Sequence, residues 1–303
     1  MKTRTTTAVL SCLLLFMFMV TGYAQELPPN SIGEKVYKEY QANGIEKALS
    51  QYQTLKKSEN KELSQADLNL VGYKILMEDK DMDAAEKIFK LNIEEYPEAA
   101  NPYDSYGDFL LEKGDEQEAK EYFQKSAEMS KDSDDEWEKN TLHPQTKSKL
   151  AKIDKKHRQM DFLLGDWNID ATAYEEGKEV MKMKGKDKVE FNEAANSVIF
   201  HHFNEQGIQD GMRIMTYDAF DDEFDIAYFS PDRLRGIEVS NMKVKPVGEN
   251  KFEFTETYIS GEGQEMDLKH EIKKISDSEM EWVVFEKSDS DEWQKVYAMN
   301  MTK

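Results

Sequence analysis

The titratable side chains that could do chemistry lie in the C-terminal half, on stretches that are otherwise apolar. Asp187, Glu256 and Glu286 fall on apolar faces. His270 alternates with Met266, Leu268 and Ile272, so it points inward wherever they do. Two inward carboxylates could carry acid–base work. Nothing in the spacing pairs them, and a buried ion pair with Arg213, Arg233 or Arg235, or a polar hook for a ligand, explains them equally well. His201-His202 suggests a metal site, but neighbours on a strand point to opposite faces and cannot easily share one ion. Ser240-Asn-Met-Lys243 matches the Ser-x-x-Lys nucleophile pattern. That pattern needs a helix start, and here it lies in an alternating strand. Asp79-Lys-Asp-Met-Asp83 invites a calcium-loop reading, but Ala84 stands at the turn glycine and Lys90 at the closing acid. No set of nucleophile, base and orienting group can be assembled. The chain is therefore expected to bind rather than catalyse, with no metal and no resident cofactor. The alternative is a minor hydrolase or isomerase using inward carboxylates, with Glu256 foremost.

The elements that would position these groups are strands. Met181, Met183, Gly185, Asp187, Val189 and Phe191 occupy one face of a period-two stretch, and Lys182, Lys184, Lys186 and Lys188 the other. Similar alternation recurs to the C-terminus, broken by turn signals such as Glu176-Gly177, Asp221-Asp222 and Gly261-Glu-Gly263. Eight to ten short strands with tight turns favour an antiparallel up-and-down β-barrel, which also removes sheet edges. The inward candidates are soft and aromatic: Met181, Met183, Phe191, Met215 and Tyr217, then Tyr228, Phe254, Tyr258 and Trp282. Such a wall suits a small apolar or amphipathic ligand, with Arg213 or a carboxylate fixing its polar end. The same side chains could also simply fill the barrel.

The first half reads in helical periods and repeats itself. Asn101 to Ser126 can fold as a helical hairpin, with Gly107 at the close approach, Gly114-Asp115 as the break, Ala119 at the contact and Phe123 in the groove. Gly72, the break at Asp79-Lys80-Asp81, Ala85 and Phe89 repeat this one period earlier, and Ala48, Tyr52 and Leu55 after Asn43-Gly44 form a degenerate third copy. The pattern resembles the tetratricopeptide repeat family, with Leu68 and Tyr103 where its signature tryptophan stands. The wording also looks like repeats appended to exported bacterial hydrolases of the penicillin-recognising type. The resemblance implies α-helical hairpin repeats that dock an exported protein partner or brace the neighbouring domain.

Gly165-Asp166-Trp167 on the first of many strands, after a short helix, looks like the Gly-x-Trp signature of lipocalin-like (calycin) barrels. Tyr217-Asp218 and Glu256-Thr-Tyr258 followed by Gly261 strengthen the likeness to bacterial lipocalin-like domains of unknown function. The resemblance implies that Trp167 plugs the closed end against a basic residue of the last strand, where Lys303 stands. Related haem-binding barrels present one histidine to the iron, so the resemblance makes haem on His270 an alternative ligand; a buried core histidine is the plainer account.

Composition bounds these readings. A formal charge of -21 argues against nucleic acid and anionic membrane surfaces as partners. Residues 1–24 read as a secretory signal: Lys2 and Arg4, an apolar run from Ala8 to Val20, then small residues before Gln25. The run is too short for a membrane span. Cys12, the sole cysteine, lies inside it, so an exported chain would have no disulfide and no thiolate site. The expected organisation is a signal peptide at 1–24, helical repeats at 25–130, an exposed acidic linker with a short basic helix at 131–159, and the barrel at 160–303. The expected location is periplasmic or secreted.

Overall fold

A computed structural model describes the backbone of residues 26–59, 64–229, 238–242, 245–248, 250–259, 265–287 and 292–303. The expected leader therefore lies outside the described residues. The chain divides into two compact units at Leu150/Ala151. No helix among the described residues is long and apolar enough to cross a membrane.

The first unit is helical, with α1 (Ile32–Asn43), α2 (Ile45–Glu59), α3 (Gln65–Lys74), α4 (Met82–Glu95), α5 (Ala100–Lys113), α6 (Glu116–Lys131) and α7 (His143–Ile153). The expected breaks are in place. Gly114 ends α5 in the left-handed region, with φ of 89°. After α3 a π-helical turn runs Ile75–Asp79, and Lys80 reverses the chain at φ of 55°. Asp79 and Asp81 there accept hydrogen bonds from Tyr37 (2.8 Å) and Tyr40 (3.1 Å), and Asp81 also caps α4 through the Ala84 amide. The stretch that invited a calcium loop is thus a set of helix fastenings. Gly72 and Gly107 leave room for Phe89 and Phe123, which are fully buried. Ala48, Tyr52, Ala85 and Ala119 are buried at the other expected contacts.

The acidic connection holds a feature that charge alone conceals. Residues 134–137 are exposed, but Glu138 is buried at 4%. Its Oε1 accepts from the Ala100 and Asn101 amides at 2.9 and 3.2 Å, capping the start of α5 where Ala99 has no side chain to do so. Further on, Lys149 joins Asp104 (2.6 Å) and Asp108 (2.8 Å), and Thr146 donates to Asp104. The basic helix α7 is therefore tied to α5 by specific pairs rather than by general charge balance.

The second unit is a curled antiparallel sheet of β1 (Gly165–Glu175), β2 (Lys178–Asn192), β3 (Ser197–Asn204), β4 (Gln209–Asp218), β5 (Glu223–Phe229), β6 (Glu238–Met242), β7 (Lys245–Gly248), β8 (Lys251–Ile259), β9 (Glu265–Ser276), β10 (Glu279–Lys287) and β11 (Trp293–Thr302). The up-and-down order is as expected, and the first and last strands also pair, Ile169 with Met301. Only two residues separate β6 from β7, and these pair with opposite neighbours, β5 and β8. β6 and β7 thus stand at the two ends of the strand order. Ser240 of the Ser-x-x-Lys sequence stands on strand β6, and Lys243 lies outside the described residues.

Asp161–Leu163 form a 3-10 turn, and β1 opens at Gly165. Residues 156–164 cross one end of the shell. Met160 and Leu163 are fully buried in the core, Phe162 stacks on Phe252 at 4.3 Å between centroids, and Lys156 pairs with Asp222. Trp167 is 2% exposed, donates from Nε1 to the Leu163 carbonyl (2.7 Å), and carries the Lys303 ammonium 4.5 Å from its ring centre. This end is closed.

Candidate functional site

The interior toward the other end is built from cross-strand rows. β2 alternates as expected from residue 183 onward, which turns Asp187 inward between exposed Lys186 and Lys188. Its register partner on β3 is His202, and Asp187 Oδ1 lies 2.5 Å from His202 Nδ1. The carboxylate holds the imidazole above its ordinary range, chiefly through this hydrogen bond and against the cost of burial. His201, on the opposite face, approaches Glu190 at 3.5 Å. The two histidines are separated as the strand period requires.

A second row runs Phe200, Arg213, Tyr228 across β3, β4 and β5. The Arg213 guanidinium lies 5.9 Å from the Phe200 ring centre, 5.6 Å from Tyr228 and 5.5 Å from Trp282, which reaches it from β10. These are cation–π distances. A third group is packed solid: His270 stacks on Phe254 at 4.4 Å and 11°, and Trp282 stands edge-on to both. Trp282 Nε1 donates to His270 Nδ1 (3.0 Å), which leaves the neutral ring's proton on Nε2. That nitrogen sits 2.9 Å from Glu256 Oε1 but off the line of an aligned hydrogen bond. Burial pushes His270 below its ordinary range despite the nearby carboxylate.

These rows line a half-open cavity of about 210 Å³. Its polar wall is Asp187, His202, Arg213, Tyr228, His270 and Trp282, with Tyr297 beside them; its apolar wall is Ile169, Phe200, Val284 and Met299. Five of the residues expected from sequence to meet the ligand line it: Asp187, Arg213, Tyr228, His270 and Trp282. Phe254 and Glu256 stand behind His270 rather than on the cavity. Phe191 instead lies under the Arg158 guanidinium at 3.8 Å, and Tyr217 donates to Asp222, both in the region of the closed end. Met183 packs against the core and Met181 is 56% exposed. The side chain of Tyr258, like Arg233 and Arg235, lies outside the described residues. Sequence reasoning missed Ile169, Phe200, His202, Val284, Tyr297 and Met299. The signal for His202 was its distance of one hairpin from Asp187, not its neighbour His201.

Haem does not fit this arrangement. The pocket, about 210 Å³ and open on one side, is little larger than the dry cavity of about 150 Å³ that accepts benzene. His270 is also engaged at Nδ1 by Trp282 and faces Glu256 with Nε2. Among the described residues no three histidine, aspartate or glutamate side chains converge as a metal site would need.

No protein-family model matches the chain, and no curated protein matches it. Among solved structures, a redesigned beta barrel, b11L5F_LGL, is similar over 48% of this chain and 95% of its own, with 11% identity and a TM-score of 0.24. EF1p2_mFAP2b bound to DFHBI is similar over 49% of this chain and 98% of its own, with 13% identity and a TM-score of 0.24. Likeness at that level says nothing of function.

Proposed function

We propose that this is an exported, non-enzymatic binding protein. Its lipocalin-like barrel takes a small amphipathic molecule, and its tetratricopeptide-type repeats dock a protein partner. The observation that supports this best is a cavity of about 210 Å³ whose wall carries an arginine, two histidines and two tyrosines alongside aliphatic and aromatic surface. A filled core would not leave that many polar groups facing a void. The Asp187–His202 couple favours a second reading, since a carboxylate holding a histidine is the arrangement of an oriented general base. The described lining holds no serine, threonine or cysteine to be activated, so binding is the better account.

Native mass spectrometry of the protein purified from its own cell envelope tests the reading. The expected result is a small adduct lost on denaturation, together with a protein retained by the full chain through its helical unit. Absence of any adduct, with tryptophan emission unmoved by small aromatic and aliphatic amphiphiles, would reduce the barrel to a scaffold. An ester or peptide hydrolysis rate abolished by Asp187→Asn or Glu256→Gln would replace binding with catalysis.

A further inference from the structure

We propose that the cavity is a site for a short, planar monocarboxylate, held by Arg213 as the counter-charge. This rests on the reading of the barrel as a ligand-binding shell and names the ligand class. The charges on the wall carry it. Asp187 is taken by His202 at 2.5 Å, and Glu256 faces His270 at 2.9 Å. Among the described residues, Arg213 has no carboxylate within ion-pair distance; its neighbours are the faces of Phe200, Tyr228 and Trp282. Ring faces stabilise a guanidinium but leave its in-plane N–H donors unsatisfied, because the ring quadrupole meets only the flat side. A guanidinium fork presented edge-on matches the two oxygens of a carboxylate. Phe200, Tyr228 and Trp282 on the same wall offer aromatic surface against which a flat ligand can lie. A volume of about 210 Å³ suits a ligand the size of a substituted benzene ring.

Isothermal titration of the full chain with benzoate, benzamide and benzylamine tests this, alongside 15N–1H spectra of the indole groups. The three probes share shape and differ in charge. Benzoate is expected to bind, to move the Trp282 resonance, and to exceed benzamide in affinity by about tenfold or more. Benzylamine should bind more weakly than either. Arg213→Met should erase the preference of benzoate over benzamide, and Arg213→Lys should retain part of it, since charge survives without the fork. Unchanged dispersion in the same spectra shows that each variant is folded, and the wild-type comparison needs no variant. Equal binding of benzoate and benzamide, or an Arg213→Met preference equal to wild type, overturns the carboxylate assignment while leaving the binding reading intact. No response to any of the three probes also overturns it. The binding reading itself then stands or falls on the adduct.

Discussion

Gly107→Ala is the substitution that most directly tests how the helical unit holds together. In an exposed helix, alanine for glycine stabilises by about 0.8–1.0 kcal/mol through backbone entropy. Here a Cβ at position 107 would lie 2.6, 2.8 and 2.9 Å from three ring carbons of Phe123. Ordinary contact is about 3.5–4.0 Å between carbons, so the ring must move by the better part of an ångström. Phe123 has nowhere to go, being fully buried with the Lys149 ammonium 5.1 Å from its centre. Overpacking of this kind costs about 1–3 kcal/mol. After the propensity gain the net loss should be about 1 kcal/mol. Two compact units make a single unfolding free energy ill-defined, so the readout should be local. Hydrogen exchange of the α5 and α6 amides should quicken about fivefold. The control is Phe123→Leu, which shortens the opposing side chain. On that background Gly107→Ala should become neutral or stabilising, giving a coupling of about 1 kcal/mol. If Gly107→Ala alone slows exchange, the close approach of α5 and α6 does not constrain this position.

Two further outcomes follow from the barrel. His202 is raised by Asp187, so its contribution to stability is full below the ordinary histidine value of about 6.5 and is lost as pH rises through the raised value. His270 is lowered by burial, so its contribution is full above about 6.5 and is lost as pH falls through the lowered value. Urea midpoints of the barrel between about pH 4 and pH 9 should thus show limbs of opposite sign; His202→Gln should flatten only the alkaline one, and a profile unchanged by it would refute the assignment. Lys303→Met should remove the cation over Trp167 and lower the barrel's stability by about 0.5–1 kcal/mol, checked by the same midpoints; no change would show that the ammonium is merely nearby.

The helical breaks were legible because each rests on local chemistry: Gly114 supplies a positive φ, and Gly107 and Phe123 lie half a hairpin apart. Glu138 was not legible. Its partners are the Ala100 and Asn101 amides, 38 and 37 positions away, and an acidic run hides one buried acid among exposed ones. In the barrel, period two gave the inward face of β2 but not depth along it. Met181, Asp187 and Phe191 share that face, yet the first is exposed at the strand's end, the second reaches the cavity and the third is covered by Arg158. Register across hairpins decides such positions. His202 belongs to the site because it pairs with Asp187, a relation that opens only once β2 and β3 are aligned.

A chain of net charge -21 is an unexpected home for an anion. The difficulty eases when surface and interior are treated apart. Charges exposed to solvent are screened beyond about 8 Å at physiological salt, and many acids here already face lysines, as Glu190 faces Lys188 at 2.7 Å and Asp170 faces Lys184 at 3.2 Å. The acidic surface therefore slows the approach of an anion more than it weakens its hold. Inside, Asp187 faces His202 and Glu256 faces His270, each pair reaching across neighbouring strands. Among the described residues lining the cavity, Arg213 is the one arginine. Its field is felt at both histidines, opposing their protonation. An anion seated against Arg213 would relieve that opposition, so ligand binding and protonation of His202 favour one another. The inner acids thus hold the histidines in place, and Arg213 turns its positive charge to the cavity within an acidic protein.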